Sequence, residues 1–223
     1  MKIMKMFSQK KSNATEENIT SKNRTFFDTW AKTYDWKPFQ FWMKKFQEPV
    51  IKELKELPAE TRILDVGCGT GELLFSLWKQ GKKNIFGVDL SEKMLLKAKE
   101  KLPKEIFLQQ GNVEHLPFAD NTFDYAISTE AFHHYPNQQK ALEEMKRMVK
   151  KSKREKDENR GKIIITDINF FWKGIHWLFE RFEPGCVKVN SRREMLKLFQ
   201  EVGLQEIRQH RSFLFAVMTE GKK

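Results

Sequence analysis

Residues 63–74 read ILDVGCGTGELL, a stretch in which three glycines fall within five residues directly after an apolar run. Glycine loses more backbone entropy on folding than any other residue, so three in so short a segment predict a loop with a special conformation. A tight turn between a strand and a helix accounts for one glycine. The other two predict that a ligand lies against the main chain of this loop.

The pattern on either side of this loop predicts the fold. From residue 62 onward, short apolar runs alternate with helical stretches, and repeated β-α units of this kind form a parallel sheet covered by helices on both faces. The last two runs have no helix between them, which predicts an antiparallel hairpin at the edge of a doubly wound, mostly parallel, seven-stranded α/β sheet. The predicted strands are Ile63–Val66, Ile85–Val88, Ile106–Leu108, Tyr125–Ser128, Ile163–Thr166, Leu204–Gln209 and Phe213–Met218.

Three regions are predicted along the chain. Residues 1–24 are polar and aperiodic and indicate a flexible tail, residues 25–60 carry aromatic helical patterns typical of an N-terminal cap, and residues 61–223 form the sheet domain. Within the cap, Pro49 is predicted to open a helix, because proline is favoured at the first helical position. The mixed-charge segment 150–162 is predicted to be a solvated linker.

Composition limits the classes of protein that the chain can belong to. Its 223 residues suffice for one well-buried α/β domain, and 39% hydrophobic residues are typical of a packed globule. Cys68 and Cys186 are the only cysteines and provide no disulfide framework, and neither a signal peptide nor a membrane span is evident, so a cytoplasmic location is expected. The net charge of +11 fits either an anionic partner or a role in solubility.

The glycine loop and two carboxylates together predict the ligand. Gly67, Gly69 and Gly71 run G-x-G-x-G, whereas a dinucleotide fingerprint requires G-x-G-x-x-G. Asp65 places a carboxylate at the mouth of the loop, where it would repel a pyrophosphate and attract a cationic amino group. Asp89 ends the next strand, the usual place for a carboxylate that binds ribose hydroxyls. A ligand with a ribose, no phosphate and a positive charge is S-adenosylmethionine.

Six sequence blocks carry a wider resemblance: FFDTWAKTYD (26–35), ILDVGCGTG (63–71), GVDLSEKML (87–95), GNVEHLPFADNTFD (111–124), STEAFHHY (128–135) and SRREMLKLFQEVGL (191–204). In this order they resemble the class I S-adenosylmethionine-dependent methyltransferases, and in particular the type 11 group with its quinone and small-molecule methyltransferases. The resemblance implies a Rossmann-like methyltransferase fold. It also implies an enzyme that transfers a methyl group from S-adenosylmethionine to a small acceptor.

The resemblance implies which residues bind the methionine end of the cofactor. Asp65 and the Gly67 carbonyl would hold its amino group, while Gly69 and Gly71 would let the backbone approach the ligand. Tyr34, from the segment TYD, would close over the methionine end.

The adenosine end is implied to bind at the next two strands. Asp89 would bind the ribose diol, and Leu90 and Met94 would pack on the adenine. Asn112 would meet the adenine amino group, and the Val113 N–H would meet a ring nitrogen. Family members usually carry Asp at position 112, and Asn keeps an acceptor oxygen but loses the charge.

Three further residues are implied to lie near the transferred methyl group. Ser128 is included with the cofactor-binding residues, and His133 and His134 follow the strand that ends near it. Either histidine is a candidate general base if the acceptor must lose a proton, and a structural role is the alternative. No cluster of cysteines and histidines predicts a metal site.

The segment 170–182, FFWKGIHWLFERF, predicts the class of acceptor. It begins an insertion at about 170–190 that would cover the acceptor site, either as a cap on the N-terminal aromatics or in contact with an anionic membrane. Drawn as a helix, the segment has one apolar face, with Trp177 on the opposite side. This face consists of Phe171, Trp172, Ile175, Leu178, Phe179 and Phe182. Together with Trp30, Tyr34 and Trp42, it predicts a hydrophobic or aromatic small-molecule acceptor.

Two other functions are compatible with the sequence. A transfer RNA methyltransferase fits the basic charge, although the positive residues are spread along the chain and no RNA-binding module is evident. The second alternative is a non-catalytic partner protein that binds the cofactor and has a blocked acceptor pocket. The aromatic-rich cap argues against this alternative, because it indicates a working pocket.

Overall fold

The computed structural model describes residues 16–151, 161–170 and 172–223. Most of the predicted linker, the first part of the predicted tail and Phe171 lie outside these ranges. The strands are β1 (Ile63–Val66), β2 (Ile85–Asp89), β3 (Phe107–Gln110), β4 (Tyr125–Thr129), β5 (Lys162–Ile168), β6 (Gln205–Phe213) and β7 (Ala216–Lys222). The helices are α1 (Glu16–Trp30), α2 (Lys37–Lys55), α3 (Glu72–Lys79), α4 (Glu92–Lys101), α5 (Gln138–Met148), α6 (Lys173–Phe182) and α7 (Arg192–Glu201), with a 3₁₀ turn at Phe132–His134.

The seven strands form one sheet in the order β3-β2-β1-β4-β5-β7-β6. Strands β1 to β5 pair in parallel, and β7 is antiparallel to both β5 and β6. The predicted sheet with its antiparallel edge hairpin is therefore confirmed. The chain leaves β1 toward β2 on one side and returns to β4 on the other, which makes the carboxyl end of β1 a switch point where ligands bind.

Apolar side chains cover both faces of the sheet and create two cores. In β1, all four residues are buried, and Ile63 and Leu64 belong to opposite cores because successive strand residues alternate between faces. Helices α5 and α7 contribute to the core of Leu64, whereas α2, α3 and α4 contribute to the core of Ile63. The sheet thereby holds the loop after β1 on a rigid base.

Helix α1 begins at Glu16, so residues 16–24 are helical and differ from the flexible tail that the sequence predicted. Glu16 and Glu17 lie in the first turn, where acidic side chains stabilise a helix through its macrodipole. Asn23 is buried, and its Nδ2 donates to the carbonyl oxygen of His134 at 2.8 Å. This contact between distant segments, which no local pattern indicates, attaches α1 to the sheet domain.

Pro49 does not open a helix, and that prediction is wrong. It lies inside α2, which begins at Lys37 and has Pro38 in its first turn, where the missing N–H costs little. Proline within a helix removes one backbone hydrogen bond. Val50 and Leu54, directly after it, are fully buried, and this apolar contact offsets the loss.

Helix α6 does not bury the apolar face that the sequence predicted. His176 is buried and Phe179 is half-buried, whereas Trp172, Leu178 and Phe182 are exposed. Polar contacts set this orientation, since Nε2 of His176 lies 2.9 Å from the Phe170 carbonyl oxygen. Contact with an anionic membrane stays a prediction. In the described part of the chain, no helix combines the length and apolar character needed to cross a bilayer.

Candidate active site

The glycine loop leaves β1 and leads into α3, as the sequence predicted. Gly67, Gly69 and Gly71 have φ angles of 75°, 52° and 80°, in the left-handed region that favours glycine. The N–H groups of Gly67 and Cys68 both donate to the carbonyl oxygen of Val88, at 2.8 and 3.1 Å. These bonds hold the loop against the end of β2, at the carboxyl edge of the sheet.

Close packing requires glycine at two of these positions, for different reasons. A Cβ at Gly67 would lie 2.7 Å from the Ala131 Cβ and 2.9 Å from the Tyr135 hydroxyl. A Cβ at Gly71 would lie 2.6 Å from Cδ1 of Leu102, at the end of α4. Gly67 therefore faces the site, whereas Gly71 allows helix packing.

Gly67→Ala is expected to lower the free energy of unfolding by about 1–2 kcal/mol more than Gly81→Ala does. Both glycines have positive φ, 75° and 85°, so both variants carry similar backbone strain. A Cβ at Gly81 meets no atom within 4 Å, whereas one at Gly67 would collide with Ala131 and Tyr135. Urea titration of the two variants measures the difference, and equal losses would show that the loop relaxes without cost.

Two carboxyl groups lie beside the loop and differ in their partners. Asp89 accepts hydrogen bonds from the N–H groups of Gly69 and Ser91, each at 2.8 Å. Burial raises the pKa of Asp89 to about 6, although these N–H groups act in the opposite direction. Asp65 is 2% exposed, and its Oδ1 has no hydrogen-bond partner among the described residues. Burial, together with the nearby Asp89, raises the pKa of Asp65 to about 8.

A cavity opens at the loop, and we call it the cofactor cavity. Most of the predicted cofactor residues line it, namely Tyr34, Gly67, Gly69, Asp89, Leu90, Met94, Asn112 and Val113. Among the residues that the structure describes, Asp65, Gly71 and Ser128 are outside this lining. Ser128 is fully buried, and its Oγ lies 2.9 Å from the Tyr135 hydroxyl, so it supports the wall of the cavity.

Helix α1 contributes cavity residues that the sequence analysis did not identify. Thr20, Asn23 and Phe27 line the cofactor cavity. Phe27 belongs to an aromatic helical pattern that includes Trp30, but this pattern does not reveal which surface the helix covers. The bond from Asn23 to the main chain of His134 sets that position.

A second cavity, of about 610 Å³, adjoins the first, and we call it the acceptor cavity. Its apolar lining includes Phe26, Trp30, Met43, Ile168 and Phe179. Four residues line both cavities and form a shared wall: Phe27, Tyr34, Glu130 and His134. A ligand in either cavity would therefore contact these side chains. The side chain of Trp42, which was predicted to line this region, lies outside what the structure describes.

His133 and His134, the predicted candidates for a general base, both line the acceptor cavity. Nδ1 of His133 lies 2.6 Å from Oδ1 of Asp167, and its Nε2 lies 3.5 Å from Oε2 of Glu183. Burial lowers the pKa of His133, but Asp167 and Glu183 outweigh burial and raise the pKa to about 10. Burial and the neighbouring His133 lower the pKa of His134 to about 4. Neither ring has the pKa near 7 that suits a general base at neutral pH.

Glu130 is a site residue that the sequence analysis did not single out. It follows β4 directly and has a φ of 51°, a left-handed conformation that is uncommon for a residue other than glycine. Its Oε2 is buried without a hydrogen-bond partner in the described ranges, and burial raises the pKa of the carboxyl well above its usual value. Backbone strain and an unpaired carboxyl in the shared wall together indicate a functional residue. In the sequence, the position of Glu130 between β4 and the two histidines is the signal that could have identified it as a site residue.

Comparison with known proteins identifies the family. Residues 64–154 match the family described as a methyltransferase domain. A demethylmenaquinone methyltransferase of Alkalihalophilus pseudofirmus is 35% identical over 193 residues, which cover 74% of this chain and 78% of that protein. This chain belongs to the S-adenosylmethionine-dependent methyltransferases.

Two further proteins show how far the similarity of this methyltransferase extends. An uncharacterized protein of Methanocaldococcus jannaschii is 32% identical over 167 residues, which cover 74% of this chain but only 58% of the archaeal protein. The solved complex of the Haloferax volcanii Trm112 methyltransferase activator with a putative methyltransferase matches at a TM-score of 0.71 and 21% identity, covering 88% of this chain and 96% of the matched chain. That match shows the same fold.

The residues of the cofactor cavity fit S-adenosylmethionine, the methyl donor of this family. Other solved structures with the same fold are S-adenosylmethionine-dependent methyltransferases. Asp65 has a buried, unpaired carboxyl oxygen, which suits a cationic amino group. The exposed backbone of Gly67 and Gly69 allows close approach of the ligand, and Asp89 keeps lone pairs for ribose hydroxyls. This methyltransferase is therefore an enzyme that uses S-adenosylmethionine.

Proposed function

We propose that this methyltransferase transfers the methyl group to a small aromatic acceptor bound in the acceptor cavity. The observation that carries the proposal is the shared wall of the two cavities, formed by Phe27, Tyr34, Glu130 and His134. We therefore expect a cofactor at the glycine loop and an acceptor on the aromatic side to lie next to each other along this wall. Methyl transfer is an in-line displacement, so it requires donor and acceptor to be held in contact and aligned.

The lining of the acceptor cavity supports a flat, apolar ligand. Trp30 and Tyr34 pack edge to face with their ring centroids 4.9 Å apart. Phe179, which also lines this cavity, is supported from behind by Phe170, with the ring centroids 5.3 Å apart. Such rings bury large apolar areas and favour aromatic partners. Glu130 adds a polar group that suits a hydroxyl or carbonyl oxygen on the acceptor ring. The relative from Alkalihalophilus pseudofirmus, named for a quinone, supports an acceptor ring that carries oxygen.

S-adenosylmethionine supplies an electrophilic methyl group when it is bound. The protein then needs to align the reactants and exclude water. We assign orientation of the amino group to Asp65 and Gly67, and orientation of the ribose to Asp89. Tyr34 and Phe27, which line both cavities, would cover the reacting groups and keep water out.

A transfer assay with labelled S-adenosylmethionine tests the proposal. Four acceptor classes are compared: reduced naphthoquinones without a ring methyl group, simple phenols, phospholipids, and folded transfer RNA. Turnover of a naphthoquinol or phenol is the expected result. Methylation confined to transfer RNA would contradict the proposal, and cofactor binding without turnover of any acceptor would indicate a non-catalytic partner protein.

Trp30→Ala is expected to lower kcat/KM for the aromatic acceptor roughly tenfold, since an aromatic pair contributes about 0.5–1.5 kcal/mol beyond its buried area. Trp30 lines the acceptor cavity and is absent from the lining of the cofactor cavity, so the affinity for S-adenosylmethionine should change little. Trp78→Ala is the matched control, because Trp78 is 43% exposed on α3 and lines neither cavity. An equal loss of kcat/KM in both variants would show that Trp30 does not contact the acceptor.

A further inference from the structure

Three side chains with metal-ligand chemistry meet in the wall of the acceptor cavity. His133 and His134 come from the 3₁₀ turn after β4, and Glu183 directly follows α6. One ligand atom from each lies within 4.8 Å of the other two. Two segments far apart in sequence thus bring two imidazoles and one carboxylate to a single point.

The spacing of these atoms is close to that around one metal ion. Nε2 of His133 lies 3.5 Å from Oε2 of Glu183, and Nε2 of His134 lies 3.8 Å from Oε1 of the same carboxylate. Ligands bonded to a tetrahedral Zn²⁺ at about 2.0–2.1 Å lie roughly 3.4 Å from one another. The observed separations are slightly larger, and a small rotation of the Glu183 side chain would remove the difference.

Among the described residues, two of the atoms that face this point make no hydrogen bond and have only each other as an ion-pair contact. Nε2 of His133 and Oε2 of Glu183 are both buried and make no hydrogen bond to any described residue. His133 is only 2% exposed, so water does not readily replace the missing partner. Unpaired buried polar atoms are costly, and a cation bound between these two atoms would satisfy both.

Asp167 orients the first of these ligands. Its Oδ1 lies 2.6 Å from Nδ1 of His133 and also accepts a hydrogen bond from the Ile168 N–H at 2.8 Å. Metal-binding imidazoles usually donate their second N–H to a carboxylate, which fixes the ring and leaves the other nitrogen for the metal. His133 has this arrangement, with Nε2 directed toward Glu183, and a metal ion bound there would displace the proton from Nε2.

The geometry points to a divalent transition-metal site on His133, His134 and Glu183, with Zn²⁺ as the ion that suits it best. Two imidazoles and one carboxylate are a ligand set of zinc sites that keep a fourth position open. All three residues line the acceptor cavity, so the ligand class for the open position is an acceptor oxygen, which the metal would polarise. This role for the metal rests on the proposed function, whereas metal binding itself does not.

The test uses Zn²⁺ alone, added to the full chain after treatment with a chelator. Calorimetry is expected to show one Zn²⁺ bound per chain, and Co²⁺ is expected to give the absorption spectrum of a tetrahedral site. Glu183→Gln is expected to weaken Zn²⁺ binding at least tenfold. Glu201→Gln, on the surface of α7, is the matched control and should leave Zn²⁺ binding unchanged. Binding of S-adenosylmethionine by the Glu183→Gln protein verifies that it is folded.

Absence of Zn²⁺ uptake by the wild-type protein would overturn the proposal. Equal uptake by the wild-type and Glu183→Gln proteins would also overturn it, and would leave the cluster as a buried ion-pair network around His133. Should Glu183→Gln fail to fold, the Co²⁺ spectrum of the wild-type protein decides between the outcomes. No acceptor is present in these measurements, so an error in the proposed acceptor class would not change their result.

Discussion

Asp65→Asn is expected to weaken the binding of S-adenosylmethionine by about 2–5 kcal/mol, the range seen when one member of a buried charge pair is removed. The carboxyl is 2% exposed, and its Oδ1 has no hydrogen-bond partner in the part of the chain that the structure describes. We assign the cationic amino group of the cofactor to this carboxyl. Asn retains the shape of the side chain, so the loss reports the charge.

The same substitution is expected to stabilise the ligand-free protein at alkaline pH by about 3–5 kcal/mol, the order of cost for an uncompensated buried charge. The folded-state pKa of Asp65 is raised to about 8, above its unfolded value of about 3.9. The folded protein therefore holds a proton that the unfolded chain has released, and stability falls as pH rises between these two values. The cost is absent below about pH 4 and complete above about pH 8, and the Asn variant avoids it.

Binding of the cofactor should also depend on pH through Asp65. The cationic ligand binds the ionised carboxylate, so the affinity of the wild-type protein should increase up to tenfold per unit between about pH 6 and 8. Asp65→Asn should flatten this dependence. Calorimetry at several pH values, with urea titrations of the ligand-free proteins, checks both effects. If the Asp65→Asn protein binds the cofactor with wild-type affinity and an unchanged pH profile, the assignment of Asp65 to the cofactor site is wrong.

Asp89→Ala is expected to weaken S-adenosylmethionine binding by about 1.5–3 kcal/mol, the range for hydrogen bonds to a charged group. This carboxyl lines the cofactor cavity, where we assign it the ribose hydroxyls. It also accepts hydrogen bonds from the N–H groups of Gly69 and Ser91, so its loss would loosen the glycine loop as well. Both effects act in the same direction on affinity.

Calorimetry of Asp89→Ala beside Asp120→Ala measures this effect. Asp120 is an exposed carboxyl that pairs with Arg147 and lines neither cavity, so its removal should leave the affinity unchanged. The overall fold of Asp89→Ala should persist, because the carboxyl lies at a strand end and the core of the sheet does not depend on it. Unchanged affinity in Asp89→Ala would contradict its assignment to the ribose.

The strands and the glycine loop could be predicted because their signals are local. Ile63–Val66 was predicted with its observed limits, and the capping box of Ser191 and Glu194 forms at the start of α7. The predicted strand Phe213–Met218 is wrong in its limits, because it spans the hairpin turn: Phe213 ends β6, and β7 begins at Ala216. The remaining predicted strands differ from the observed ones at their ends. Pro49 shows the limit of local reasoning, because burial of the residues after it outweighs the unfavourable position of proline.

The sequence predicted where helices form better than it predicted which face of each helix is buried. In α6, the apolar pattern predicted a face that either packs on the N-terminal aromatics or contacts a membrane. Leu178 and Phe182 of this face are exposed, and His176 is buried instead, so the face does not pack as a cap. The hydrogen bond between His176 and the Phe170 carbonyl and the bond from the Val189 N–H to Glu180 set the orientation. These partners lie outside any helical period, so a hydrophobic pattern does not reveal them.

By itself, the sequence determined the sheet, its edge hairpin and the glycine loop after β1, because alternation of strand and helix and clustering of glycines act over a few residues. Only the tertiary structure decided how the two cavities meet. The bond from Asn23 to His134 spans 111 positions, and the N–H groups of Val187 and Lys188 bond to the His133 carbonyl and thereby bring Glu183 to the histidines. Contacts of this kind depend on how separate elements pack against one another, and no local period encodes them.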